Sequence, residues 1–372
     1  MKTKIIAMYL PQFHSIPEND LWWGEGYTDW VAVKKSMPLF SAHQQPRIPL
    51  DENYYSLTDI ETLKWQAQLA KEYGIDGFGI YHYWFSDNLK LLEKPAELIL
   101  SHPEVKIDFF FAWDNGSWKR TWSNVRNGND WAPAFDNKTS NSGDKGLLAE
   151  LIYGDESSWK VHFDYLLPFF KDSRYIKKDN KPVFAFFQAH NNYELIKRMC
   201  LYWDSLAKEA GFAGIFCISK QGPHGEMLDA SMRYEPLSAN NVVELWKNRF
   251  HNVMNRLRPR LRIYKYDKLW KKIIHNAKNH GNQNCYYGGF VGFDDSPRRG
   301  KKARIVLGQT PEKFEKYLAQ LYQISQKQSK DFIFLTAWNE WGEGAYLEPD
   351  TKDGFAYLEA VKTIKTKYEK DH

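Results

Sequence analysis

The chain has 372 residues, a formal charge of +5, three cysteines, and an unusually aromatic composition of 16% with 15 Trp. The length suits one large domain, since an α/β barrel with elaborated loops routinely exceeds about 250 residues, and the charge is too modest for a nucleic-acid footprint across the chain. Cys200, Cys217 and Cys285 have no metal-type spacing and cannot all pair, so they read as reduced. The apolar stretch before Pro11 is too short for a signal-peptide core, and no segment approaches ~18 apolar residues. The expected location is the cytoplasm.

Taken in chain order, eight short apolar runs bounded by turn chemistry read as strands. They are "KIIAMYL" from Lys4, "DGFGIYHYW" from Asp76, "IDFFFAW" from Ile107, "PVFAFF" from Pro182, "GIFCIS" from Gly214, "ASMRYE" from Ala230, "CYYGGFVG" from Cys285 and "DFIFLTAW" from Asp331. They are nearly continuous in hydrophobicity, as strands covered on both faces should be. Helical patterns lie between several of them. In "TDIETLKWQAQLAKEYG", Thr58 and Glu61 have capping-box spacing and Gly74 is a plausible stop. In "TPEKFEKYLAQLYQI", Thr310 is the expected cap, Pro311 opens the first turn, and Phe314, Leu318 and Leu321 share one face. Strand and helix alternating in this way predict an α/β fold, a (β/α)8 TIM barrel with elaborated βα loops, as a single catalytic domain over residues 1–372.

Residues 236–281 are too long for a simple crossover and read as a basic helical loop insertion within the barrel. Between residues 245 and 280 there are eleven Lys/Arg against one acidic residue, Asp267. Residues 246–272 are therefore expected to form rim helices that could contact an anionic membrane or glycan, which leaves membrane association open; a solvated helix face is the simpler alternative.

In a (β/α)8 barrel the active site lies at the C-terminal strand ends. The residues that follow the runs are Tyr9 and His14; Tyr81, His82 and Trp84; Trp113, Asp114 and Lys119; Tyr234 and Glu235; and Asp294, Asp295 and Arg298. Sugar sites pair aromatic rings, which stack on the apolar face of a pyranose, with polar groups that bind its hydroxyls. Two carboxylates then share the acid and base work. No HExxH, Gly-rich phosphate loop or nucleophile elbow is present, so metal and nucleotide chemistry lose ground and no cofactor is expected. The last run delivers "TAWNEWGEG". Glu340 leaves the strand end, and Gly342 and Gly344 free the backbone so that Glu343 can also face the cleft. Trp338 and Trp341 are expected to wall the pocket and raise a carboxyl pKa, as a general acid requires. Trp30, Trp84 and Trp113 are expected to line it as well.

The blocks "GEGYTDW", "HQQPRIPLD", "DGFGIYHYWF", "FDDSPRRG" and "TAWNEWGEGAYLEPD" span almost the whole chain and resemble the WbsX family, whose members are similar to glycoside hydrolase family 99 and often occur in bacterial surface-polysaccharide biosynthesis. The resemblance implies a (β/α)8 carbohydrate-active enzyme without metal or organic cofactor. It assigns Glu340 as the base that deprotonates the sugar 2-hydroxyl and Glu343 as the general acid, in a retaining reaction on α-mannoside-like linkages of an oligo- or polysaccharide. His43, Trp338, Asn339 and Trp341 join the expected substrate site, and the acidic doublet Asp294 and Asp295 reads as a substrate-hydroxyl clamp beside Arg298. This chain has Gly342 where those mannosidases commonly carry His, and "WDNGSWKRTW" where relatives usually show Asn-Glu-x-Trp. The sugar specificity therefore does not carry over. Hydrolysis or transglycosylation is preferred to two alternatives, a glycosyltransferase of O-antigen or capsule biosynthesis and a non-catalytic glycan-binding barrel.

Overall fold

The computed structural model describes residues 2–119, 147–220, 228–239, 261–279 and 284–369. The eight apolar runs all form strands: β1 (Lys4–Tyr9), β2 (Gly77–Ser86), β3 (Asp108–Trp113), β4 (Lys181–Phe186), β5 (Phe216–Lys220), β6 (Ala230–Met232), β7 (Cys285–Phe290) and β8 (Phe332–Thr336). Each pairs in parallel with its sequence neighbours. β8 returns to β1 in the register Lys4↔Phe332 to Ala7↔Leu335, which closes the barrel. Closure leaves no sheet edge within the barrel, and both faces of every strand are covered. That is why the strands read as continuous apolar runs: β1, β2, β7 and β8 are buried almost throughout.

Both segments singled out by their periodicity form helices. The helix α1 (Ile60–Glu72) is capped by Asp59 rather than Thr58. Asp59 accepts from the Glu61 amide at 3.1 Å, whereas the Thr58 hydroxyl bonds Ser56 at 2.8 Å and is not available to the helix. Gly74, at φ +84°, stops it as expected. Further on, α2 (Pro311–Lys327) starts with the Thr310 hydroxyl accepting from the Lys313 amide, and it buries Phe314, Leu318 and Leu321 completely.

Half of the basic insertion, residues 240–260 and 280–281, lies outside the described residues. Within the described part, Arg262–Lys265 pairs in parallel with Arg304–Leu307. The following helix, α3 (Tyr266–Asn279), packs against α2 and β7 and buries Leu269, Trp270 and Ile273. Residues 266–272 are thus the first half of a barrel helix instead of a rim helix. Its cations occupy the face opposite the buried stripe, as amphipathic spacing requires. Among the described residues no helix is long and apolar enough to cross a membrane.

Candidate active site

The last strand builds the centre of the site. Beyond Thr336, Asn339 clamps the exit of β1: its Oδ1 accepts from the Leu10 amide at 2.7 Å and its Nδ2 donates to the Leu10 carbonyl at 3.0 Å. The pair Asn339–Glu340 then runs antiparallel to Ala345–Tyr346, and the single turn Trp341–Glu343 joins them. Gly344 closes this turn in the left-handed region, at φ +55°, where glycine carries no Cβ penalty. Gly342 has a different reason to be glycine: a Cβ there would stand 2.6 Å from both Arg298 Nε and Asp29 Oδ2.

Arg298 organises the carboxylates. It sits in the short helix α4 (Ser296–Arg299) after β7. Its Nε and Nη2 donate to the two oxygens of Asp29, each at 3.1 Å, while Nη2 also reaches Glu340 Oε2 at 3.2 Å and Nη1 reaches Glu343 Oε1 at 3.1 Å. Asp29 itself is completely buried and accepts the Gly342 amide at 3.0 Å. One guanidinium therefore holds both glutamates and is itself fixed from behind. Burial pushes the Glu340 carboxyl up to about 8, with Glu343 and Asp29 adding to the shift and Arg298 opposing it. A carboxyl in that range is a stronger base than an ordinary glutamate when ionised.

Around these groups lies a cleft of about 300 Å³, the lower end of the range for small-ligand sites. Tyr81 and Tyr83 of β2, Asp114 after β3, Gln188 after β4, Lys220 at the end of β5 and Tyr234 after β6 all face it. The Tyr81 and Tyr234 hydroxyls are 2.6 Å apart. Lys220 lies against the Phe187 and Tyr234 rings, and burial holds its ammonium below the usual range while Asp114 and Glu343 oppose that shift. Burial likewise raises Asp114, against the pull of Lys220 and a hydrogen bond from Gln188.

Of the residues expected from the sequence, the cleft gathers Tyr81, Asp114, Tyr234, Arg298, Glu340 and Glu343. Trp30, Trp84 and Trp113 are packed away from it. Trp30 Nε1 donates to the Tyr55 carbonyl, Trp113 Nε1 donates to the Trp84 carbonyl, and Trp84 stacks on His162 at 4.3 Å. Trp338 and Trp341 are fully buried beneath the site, Trp341 against Tyr346 and Trp338 against Phe78. His82 meets His162 at 2.8 Å behind β2, where burial lowers its imidazole to about 3. His14 is buried, with its imidazole held at about 4. Tyr9 donates to Gln66, and Glu235 Oε2 accepts from the Ala239 amide.

The expected hydroxyl clamp is occupied internally. His43, Gln45 and the Ser296 amide hold Asp294, while Arg299 and Arg304 hold Asp295. The Lys119 side chain lies outside the described residues.

Sequence reasoning missed Asp29, which anchors Arg298, and the cleft residues Trp23, Tyr83, Trp118, Gln188, Lys220 and Arg304. Strand parity would have found Tyr83: successive side chains point to opposite faces, so Tyr81 and Tyr83 face the cleft while His82 and Trp84 face the helix Glu156–Lys171 that carries His162 and Tyr165.

The profile of the family described as "Glycosyltransferase WbsX" matches residues 5–361. The chain belongs to the WbsX family. Two curated relatives, both called "Uncharacterized protein WxcX" and both from Xanthomonas campestris pv. campestris (strains B100 and ATCC 33913), are 29% identical to this WbsX chain over 98% of its length. It spans about half the length of these relatives, covering 50% of each. Among solved structures, the endo-alpha-mannosidase of glycoside hydrolase family 99 from Bacteroides thetaiotaomicron matches 99% of this chain and 97% of its own, with TM-score 0.55 and 14% identity. A "Glycoside hydrolase-like protein" matches 98% and 94%, with TM-score 0.58 and 12% identity. At such identities the likeness is one of fold, and it agrees with the closed eight-stranded barrel of this WbsX protein.

Proposed function

We propose that this WbsX protein is a glycoside hydrolase or transglycosidase that acts on α-mannoside-like linkages of a bacterial glycan and retains anomeric configuration through the substrate's own 2-hydroxyl. The observation that carries this reading is that Glu340 and Glu343 face one cleft and share one guanidinium, Arg298. In the proposed sequence Glu340 takes the proton from O2, O2 displaces the leaving group at C1, and Glu343 gives that group its proton. The product of this step is a 1,2-anhydro sugar. Glu343 then deprotonates water or an acceptor hydroxyl, which opens the strained ring at C1, and the proton held by Glu340 returns to O2. Two displacements at C1 give net retention. The shared fold of a family 99 endo-alpha-mannosidase supports the reading.

A second reading, a sugar-nucleotide transferase, draws on Arg298, Arg299, Arg304 and Lys220 in the same cleft, since cations would meet a diphosphate. The two separate experimentally. Incubation with the surface polysaccharide of the organism that carries this chain, followed by mass spectrometry and NMR of the first-formed anomer, should give cleaved or transferred products of retained configuration. Saturable binding of a nucleoside diphosphate with no action on the polysaccharide would replace the hydrolase by the transferase.

A further inference from the structure

Beside the guanidinium that holds the two glutamates, the cleft carries two more. Arg298 is engaged with Asp29, Glu340 and Glu343. Arg299 and Arg304 line the same cleft and share a single carboxylate, Asp295, through Arg299 Nε at 3.1 Å and Arg304 Nη2 at 2.9 Å and Nε at 3.0 Å. Asp295 has nothing more to offer them. Its Oδ1 accepts the Arg304 amide at 2.6 Å, its Oδ2 serves both guanidinium groups, and its side chain is 1% exposed.

Two guanidinium groups thus share one carboxylate on the cleft wall, and that carboxylate leaves part of their donor capacity open. Among the described residues, neither Nη atom of Arg299 nor Nη1 of Arg304 has a hydrogen-bond partner. The arrangement is also rigid on one side, because three nitrogens of Arg304 are fixed by Asp295 and its guanidinium lies over the Phe293 ring. Burial, together with the neighbouring Arg304 and Arg298, lowers Arg299 below the usual guanidinium range, while Asp295 and Glu343 oppose this. An anion between the two forks would relieve that repulsion and satisfy the open donors with charge-assisted bonds.

We propose that Arg299 and Arg304 form a subsite for a monoanionic substituent on the sugar, a carboxylate or a phosphodiester, which makes the substrate an acidic glycan. The inference rests on the reading of the cleft as a sugar site. It favours a monoanion because Glu340 and Glu343 line the same cleft and would repel the two or more charges of a nucleoside diphosphate more strongly than a single charge held by the open donors. Planar guanidinium forks favour oxyanions of this geometry.

The test is calorimetric titration of the protein with the methyl α-glycosides of mannose, glucose and galactose, each as the neutral sugar, as its 6-carboxylate and as its 6-(methyl phosphate) diester. In at least one series an anionic member should bind about tenfold or more tightly than its neutral parent. That advantage should shrink as salt is added. It should disappear in Arg299→Gln and survive in part in Arg299→Lys, which keeps the charge and loses the fork. Whichever anion gains identifies the substituent. Equal affinity for neutral and anionic members, or an advantage that persists in Arg299→Gln, would overturn the subsite and leave the sugar reading intact. Binding of none of the glycosides, neutral or anionic, would remove the sugar reading and this inference with it.

Discussion

Asp29 and Arg298 lie 269 positions apart in sequence and meet through two hydrogen bonds of 3.1 Å, with Asp29 completely buried. The pair fixes the guanidinium from behind, so that its remaining donors reach Glu340 and Glu343 at defined positions. Removing one partner of a buried ion pair leaves the other uncompensated and costs roughly 3 to 5 kcal/mol. Asp29→Ala should lower stability by about that amount in denaturant titrations. It should also depress activity in the fraction that remains folded, because Arg298 loses its anchor.

Gly342 should tolerate no side chain for the same reason. A Cβ at 2.6 Å from Arg298 Nε and Asp29 Oδ2 forces the pair apart. Gly342→Ala is expected to cost roughly 1 to 3 kcal/mol, as overpacking does, and to lower kcat. Wild-type kcat and stability in Gly342→Ala would show that the pair can shift without consequence.

The pH profile follows from Glu340. Its carboxyl is held at about 8 and a base acts in its ionised form. On the proposed mechanism the ionisation of Glu340 should give kcat/KM a limb that rises about tenfold per unit as pH increases towards 8. Asp29 is one of the charges that raise Glu340, so Asp29→Asn should move this limb to lower pH. A limb that falls as pH rises through 8 would make Glu340 the acid and reverse the assignment.

Stability should carry its own pH signature. Glu235 is buried, one of its oxygens is without a hydrogen-bond partner, and burial pushes its carboxyl up to about 7 from an ordinary value near 4.5. A group raised on folding binds more protons when folded. Its contribution is fully present below about 4.5 and is lost as pH rises through about 7. Glu340 acts in the same direction over a window that extends to about 8. The melting temperature should therefore fall between about pH 5 and 8, and Glu235→Gln, which cannot ionise, should flatten that fall.

The barrel was legible in the sequence because its strands are covered on both faces and so read as nearly continuous apolar runs, the three-residue β6, with Ser231 at its centre, being the weakest of them. The glutamates were legible because they follow the last of those runs. The tryptophans misled because position at a strand end does not say which face a side chain takes. Trp84 shares parity with His82 and packs with it behind β2, whereas Tyr83 points into the cleft. Asp29 lay in plain view within "GEGYTDW", but only tertiary structure brings it to Arg298. Trp118, with its ring against Tyr83 at 5.0 Å, and Trp23 are the tryptophans that line the cleft among the described residues.

The contrast between those rings is testable. Trp113→Ala removes a ring that is 1% exposed and should cost roughly 3 to 5 kcal/mol of stability. Trp118→Ala should raise KM for a glycan substrate with a smaller loss of stability. The reverse pattern would return Trp113 to the cleft.

The assignment of Glu340 as base and Glu343 as acid is tested most directly by leaving-group dependence. Glu343→Gln should lose about 10²- to 10⁴-fold in rate on natural glycosides, and an activated aryl glycoside, whose leaving group needs no proton, should recover most of that loss in the bond-breaking step. Glu340→Gln should be slow on both substrates, because O2 must be deprotonated whichever group departs. Near-normal activity of a folded Glu340→Gln enzyme on either substrate would contradict participation of the 2-hydroxyl and the division of roles between the two glutamates.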